Sequence, residues 1–320
     1  MHKTKCAVIG VGYLGRFHAQ KYQLLDNADL IAVCDVNRDV CQAVANELNV
    51  LACFDYRDLF GNVDAISIAA TTNAHYDIAR ECLAAGIHVL IEKPITETVA
   101  QAEKLIAIAA ANNAKLQVGH LERFNSARLA LDAHLEKPLF IESQRLAPFN
   151  PRGTDVNVIL DLMIHDIDII QTIVHSPIKT IEAQGAPVLS KSIDIANARI
   201  TFENHCVANV TASRISFKTE RKTRIFQSDT YISIDYHNKK LAVFKKGDGE
   251  MFPGIPDVIR HESIFEPGDA LLEEIKAFIQ CIEQNSLPLV TGQEGSAALA
   301  TAEKITSLIH HQLNERYATT

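Results

Sequence analysis

Three ionisable side chains stand out in the stretch "NVILDLMIHDIDIIQ", residues 157–171. At about 100° per residue, Ile159, Leu160, Leu162, Met163, Ile167 and Ile170 point almost all the way round a helix. A helix apolar on most faces is normally buried. Asp161, His165 and Asp168 nevertheless fall at i, i+4 and i+7, on one narrow stripe. Ionisable groups are costly to bury unless something satisfies them. A histidine titrates near physiological pH, so one flanked by acids is suited to proton transfer. The alternative reading of His165 is a hydrogen-bonded core histidine.

A second candidate is Glu92-Lys93-Pro94, which ends the apolar run "HVLIEKP". Ligands of open α/β sheets bind beyond the carboxyl ends of the strands. Lys93 therefore points toward bound ligand. Pro94 favours an extended backbone at Lys93 and ends the strand. The alternative is a strand-end lysine paired with Glu92.

The third is Gly10-Val11-Gly12-Tyr13-Leu14-Gly15, a GxGxxG that follows an apolar run and opens a helix. In that setting the glycines let the backbone approach a pyrophosphate at a helix N-terminus. Asp35 ends the next apolar run, where a carboxylate accepts from a ribose 2′-hydroxyl and repels a 2′-phosphate. NAD is therefore expected over NADP, although Arg38 lies close by. The alternative is a tight turn followed by a helix-capping Asp.

These residues need a scaffold, and the flanking sequence supplies one. "KCAVIG" (5–10), "ADLIAVCD" (28–35), "VDAISIAA" (63–70), "IHVLIEKP" (87–94) and "KLQVGH" (115–120) read as strands. Residues 16–25, "RDVCQAVANELN", "HYDIARECLAAG" and "TVAQAEKLIAIAAANN" read as helices between them. Continuously apolar strands alternating with helices predict a parallel sheet covered on both faces. Beyond about residue 121 the pattern changes. A helix "SARLALDAHL" and a strand "LFIESQRLA" lead to the Asp161 helix, and long strand-like stretches fill 179–246. "ENH" and "HNKK" read as hairpin turns. Ala208, Val210 and Ala212 alternate with Val207, Asn209 and Thr211, which predicts an antiparallel sheet with one wetter face. "KGDGEMFPGIPD" (246–257) reads as a loop, and helices at 270–285 and about 296–314 close the chain. The expected fold is α/β: a doubly wound parallel Rossmann sheet over 1–121 that binds NAD, then an α/β domain over 122–320 with an open, mostly antiparallel sheet for substrate binding and oligomerisation.

Composition narrows the partners. With 47% hydrophobic and 22% charged residues the 320-residue chain reads as soluble and globular. Its apolar runs are far below membrane-spanning length. The N-terminal apolar run is short and ends in a glycine turn with no small-residue cleavage site, so a cytoplasmic location is expected. The seven cysteines form no CxxC, which predicts small buried hydrophobes and no metal cluster. A net charge of −8 without a basic stripe argues against nucleic acid.

Taken in order, GxGxxGxxH (Gly10 to His18), the acid after the second strand, "AATTNAH" (69–75), "EKP" (92–94), "VGHLERF" (118–124) and DxxxHxxD (Asp161, His165, Asp168) resemble the Gfo/Idh/MocA family of NAD(P)-dependent sugar and inositol oxidoreductases. The resemblance spans nearly the whole chain. It implies that Lys93, Asp161 and His165 meet in a cleft as the catalytic set. It also implies that Tyr13, Leu14, Thr71, Asn73, His75 and Glu92 join the glycines and Asp35 around the cofactor. Many relatives approach the helix through a glycine-rich loop, whereas here it is "RGTDVNVIL".

On this reading a hydride leaves a carbon whose hydroxyl proton goes to His165. Asp161 orients the substrate or the histidine, and Lys93 steadies charge on the reacting oxygen. "VGHLERFN" and "DVNVILDLMIHDIDII" resemble the branch that oxidises the 3-hydroxyl of a UDP-sugar, UDP-N-acetylglucosamine, for later amination by a pyridoxal-phosphate aminotransferase. Arg123, Arg145 and Arg152 are the candidate cations for the diphosphate. "KTERKTR" (218–224) is read as a solvated hairpin. Other sugar or inositol dehydrogenases, a biliverdin- or imine-type reductase, and a non-catalytic NAD-binding regulator stay open as alternatives. The wetter sheet face predicts a homo-dimer or homo-tetramer.

Overall fold

In a computed structural model of the chain, residues 3–150, 156–266 and 268–318 are described, the side chains of 316–318 excepted. Apolar runs become strands β1 (Thr4–Ile9), β2 (Ala28–Cys34), β3 (Leu51–Cys53), β4 (Ala65–Ile68), β5 (His88–Glu92) and β6 (Leu116–Gly119). The segments between them form α1 (Tyr13–Tyr22), α2 (Arg38–Leu48), α3 (Thr72–Ala84) and α4 (Val99–Ala111). All neighbouring strands are parallel, in the order β3-β2-β1-β4-β5-β6. The order reverses between β1 and β4, where α/β sheets bind ligands at their carboxyl ends. The glycine turn follows β1, and Lys93 follows β5.

The rest of the chain supplies α5 (Ser126–Leu131), β7 (Phe140–Leu146), α6 (Ile164–Val174), β8 (Ile178–Ala186), β9 (Ile195–Phe202), β10 (Val207–Ser213), β11 (Glu220–Phe226), β12 (Thr230–Asp235), β13 (Lys240–Phe252), β14 (Ile255–Ile264), α7 (Ala270–Glu283) and α8 (Gly292–Ala318). The eight strands run β14-β13-β12-β11-β7-β10-β9-β8. Among the described residues only β7 and β10 of this sheet pair in parallel. Ala208, Val210 and Ala212 are fully buried, while Asn209 and Thr211 face the wetter side.

Three expectations are corrected. Residues 246–257 are not a loop: they form much of the β13–β14 hairpin, and Phe252 pairs with Ile255 across Pro253-Gly254. Gly254 takes φ +78°, the left-handed position a tight Pro-Gly turn needs. Irregular pairing between Lys246 and Glu250 absorbs the glycines that read as loop signals. Residues 220–224 are likewise not a hairpin, because β11 lies inside the sheet between β7 and β12. Finally, division by chain order misses a return of the chain. One compact unit is Met1–Phe124 with Asp269–Leu299, the other Asn125–Gly268 with Ala300–Thr320. Helix α7 carries the return: Leu271, Ile275, Phe278 and Ile279 join the core of the first unit beside Tyr22 and Leu90.

Candidate active site

In the first unit the three glycines differ in what surrounds them. Gly10 has φ +82°, and a Cβ there would lie 2.5 Å from Ala70 N. A Cβ on Gly15 would lie 1.8 Å from Gly10 O, so α1 packs on the turn with no room for a side chain. A Cβ on Gly12 would meet nothing within 4 Å. Turn, close packing and open approach are the three demands of a pyrophosphate loop. Gly12 is also the N-cap of α1 and makes no side-chain cap bond, so first-turn N–H groups face outward for an anion. Tyr13 and Leu14 are exposed on that turn.

Asp35 ties the loop to the second strand. One oxygen accepts from Val11 N–H at 2.8 Å and the other from Asn37 N–H at 2.8 Å. A carboxylate has about four acceptor positions, which leaves capacity for a ribose hydroxyl. Arg38 opens α2 and lays its guanidinium over Phe54, 4.4 Å from the ring centroid. Thr71 caps α3 and donates to Asn73 Oδ1 at 2.6 Å, both on the exposed first turn. His75 is different: it is buried, with Nδ1 2.9 Å from Pro94 O and Nε2 3.0 Å from Ala70 O. Burial, the larger effect, pulls its pKa down against these carbonyls. Its ring sits between the Lys93–Pro94 turn and the end of β4, with both nitrogens facing backbone carbonyls. Lys93 is half-buried and precedes a cis proline. Glu92 accepts from His18 Nε2 at 2.9 Å and from Lys93 N–H at 3.3 Å.

In the second unit the stripe is not one continuous α-helix. Ile159–Met163 forms a π turn, and α6 begins only at Ile164. Such turns are rare and gather at functional sites. Asn157, absent from the sequence reading as a cap, starts it by accepting from Ile159 N–H and Leu160 N–H, both at 3.0 Å. Asp161 and His165 are half-buried, whereas Asp168 is 2% exposed. The structure thus keeps two of the three stripe residues partly open and buries the third.

Two of the expected phosphate ligands face inward. Arg145 is 3% exposed and donates from Nε to Asp166 Oδ2 at 2.7 Å. Ser143 donates to the other Asp166 oxygen at 2.8 Å. Arg123 is 8% exposed and pairs with Glu294 at 2.5 Å. The two arginines expected to meet a diphosphate are thus buried and ion-paired within the protein. Arg152 lies outside the described residues. The sequence reading also passed over Asp194 and Arg214, both buried. Burial alone would raise the pKa of Asp194. Hydrogen bonds from Ser190, from backbone N–H groups at Ser190 and Val188, and from Arg214 outweigh it and hold the carboxyl well below the usual range. Arg214 in turn donates to Val156 O at 2.6 Å, just ahead of the Asn157 cap.

A dinucleotide loop on a parallel sheet, followed by a mostly antiparallel sheet bearing a DxxxHxxD helix, defines an NAD-dependent oxidoreductase. The chain belongs to the Gfo/Idh/MocA family: residues 4–120 match its NAD-binding Rossmann fold and residues 132–233 its C-terminal domain. It is 38% identical to the UDP-N-acetylglucosamine 3-dehydrogenase of Acidithiobacillus ferrooxidans, over 95% of this chain and 97% of the relative. A solved structure of that enzyme superposes with a TM-score of 0.91 over 97% of this chain and 98% of the other, at 37% identity. The myo-inositol 2-dehydrogenase of Thermotoga maritima is 26% identical over 92% of this chain and 93% of its own. No helix among the described residues is long and apolar enough to cross a membrane.

Proposed function

We propose that the chain oxidises the 3-hydroxyl of UDP-N-acetylglucosamine to the ketone. The 38% identity to a 3-dehydrogenase of that substrate, over nearly the full length of both chains, carries this reading. Bound NAD supplies the hydride acceptor, held by the Gly10–Gly15 loop and Asp35. His165 takes the hydroxyl proton, in the role of general base. Asp161 orients that imidazole or the sugar. Lys93 hydrogen-bonds the reacting oxygen and stabilises its developing negative charge. The nucleotide diphosphate contributes remote binding energy that aligns the 3-hydroxyl.

The test is NADH formation with UDP-N-acetylglucosamine, free N-acetylglucosamine, other sugars and inositols. It is run with a pyridoxal-phosphate aminotransferase and an amino donor that consume the ketone. Turnover of the UDP-sugar with little of the free sugar is expected. Comparable turnover of an inositol or hexose, with none of the UDP-sugar even when coupled, would promote the inositol-type reading.

We also infer self-association through the wetter face of the second sheet. The rings of Phe140, Phe226, Tyr231 and Phe244 form a partly exposed ladder there, with centroids 5.8, 5.0 and 5.3 Å apart in turn. A monomeric mass in solution by light scattering would overturn this inference.

A further inference from the structure

Helix α7 brings an acid into the core of the first unit. Glu274 is fully buried, and neither carboxyl oxygen has a hydrogen-bond partner among the described residues. His18 is fully buried as well, and its Nδ1 has no hydrogen-bond partner among the described residues. A ligand-type atom of each of His18, Glu92 and Glu274 lies within 4.8 Å of the other two. Gln117 fixes this stretch of α7 by donating from Nε2 to the backbone carbonyl of Glu274 at 3.2 Å. Buried polar atoms are nearly always satisfied, so two orphaned Glu274 oxygens beside the Glu92 carboxylate call for a cause. That carboxylate, Glu92, also accepts the Lys93 N–H.

We propose that Glu274 is a neutral acid whose proton is directed at Glu92, and that with His18 it positions Glu92 and hence the backbone that presents Lys93. The inference rests on Lys93 acting in the reaction. Glu274 is a positioning residue, since it acts through Glu92. Burial drives its pKa well above the ordinary carboxyl value, and the charge of Glu92 adds to the rise. The other ionisable groups on elements packed against α7 are accounted for. Lys21 on α1 pairs with Asp269, and Arg123 pairs with Glu294. Tyr22 bonds Ser67, and His88 on β5 accepts from Lys115 N–H. Glu122 lies in the 3₁₀ turn Leu121–Phe124, and on α1 Arg16 pairs with Glu47 while Tyr13 is exposed.

The experiment compares Glu274→Gln and Glu274→Leu with the parent enzyme. Melting temperature is followed from pH 5 to 8.5, with kcat, KM, NAD affinity and bound metal measured alongside. A carboxyl raised in the folded state stabilises fully below its unfolded pKa, and that contribution is lost as pH rises toward the folded value. Glutamine cannot ionise. The melting temperature of Glu274→Gln relative to the parent should therefore climb steadily with pH. Glutamine retains a donor and should rescue turnover to near the parent rate. Leucine, which has no polar group to set against Glu92, should lower kcat about five- to tenfold, the scale of a polar interaction of about 1 kcal/mol, with NAD affinity unchanged.

A pH-independent difference in melting temperature overturns the proposal. So does Glu274→Gln losing as much turnover as Glu274→Leu. Stoichiometric zinc or manganese in the parent, lost from Glu274→Gln, would also overturn it by making the cluster a metal site. Lys93→Ala is run in parallel. If that variant kept full turnover, the catalytic reading of Lys93 would fall, while the pH arm would still decide whether Glu274 carries the proton.

Discussion

Arg145 and Asp166 form a buried ion pair, Nε to Oδ2 at 2.7 Å, with side chains 3% and 0% exposed. Asp166 directly follows His165, about 100° further round the helix, so the pair anchors α6 to β7 next to the half-buried imidazole. Removing one member of a buried pair strands the other, at a cost of roughly 3–5 kcal/mol. Asp166→Ala and Arg145→Ala should each lose about that much unfolding free energy in urea. A double replacement by matched apolar side chains should recover part of the loss. The KM for a nucleotide sugar should change little in any variant that stays folded. A large rise in KM with unchanged stability would return Arg145 to the substrate pocket.

Asp35 joins the glycine loop and the second strand through bonds to Val11 and Asn37. NAD should bind more tightly than NADP, since a 2′-phosphate would face that carboxylate. Asp35→Ala should weaken NAD about 10- to 100-fold, the scale of a hydrogen bond to a charged group, and narrow the gap to NADP. Titration of both nucleotides by tryptophan-free fluorescence of NADH and NADPH, or by calorimetry, measures this. A preference that survives the substitution would place selection elsewhere.

Lys93 and His165 are expected to matter for turnover and not for the fold. Each alanine variant should keep its melting temperature and its NAD affinity while kcat falls about 10²–10⁴-fold, the range for a lost acid–base group. Near-parent turnover in both would dismiss the assignment. Melting of His165→Ala at room temperature would instead favour the core-histidine reading.

The parallel sheet was legible because its signals are local: apolar runs, glycine punctuation and helical periodicity between them. Gly10, Gly12, Gly15 and Asp35 were legible for the same reason, since motif and context lie within one βαβ unit. The ion-pair partners of the two arginines lie far along the chain. Nothing near Arg145 announces Asp166, and nothing near Arg123 announces Glu294. An acid set among isoleucines, as Asp166 is, does signal a buried partner, but sheet register decides which one. The return of α7 to the first unit was hidden likewise. Its apolar periodicity by itself names no partner, and packing beside Tyr22 and Leu90 resolves it. The β13–β14 hairpin was misread because glycine and proline serve bulges and tight turns as well as loops.

Gly12 and Gly15 separate cofactor binding from folding within a single motif. A methyl group on Gly15 would drive into Gly10 O, and backbone cannot move aside as a flexible side chain can. Gly15→Ala should therefore lower the melting temperature sharply, or leave no folded protein, whether or not NAD is present. A methyl group on Gly12 meets nothing within 4 Å, so Gly12→Ala should melt close to the parent without cofactor. Its cost should appear when the pyrophosphate must approach the turn. NAD affinity should fall, and the thermal stabilisation that saturating NAD gives by mass action should shrink with it. Thermal shift with and without NAD measures both effects in one experiment. A Gly12→Ala variant stabilised by NAD as strongly as the parent would show that the pyrophosphate does not pass over Gly12.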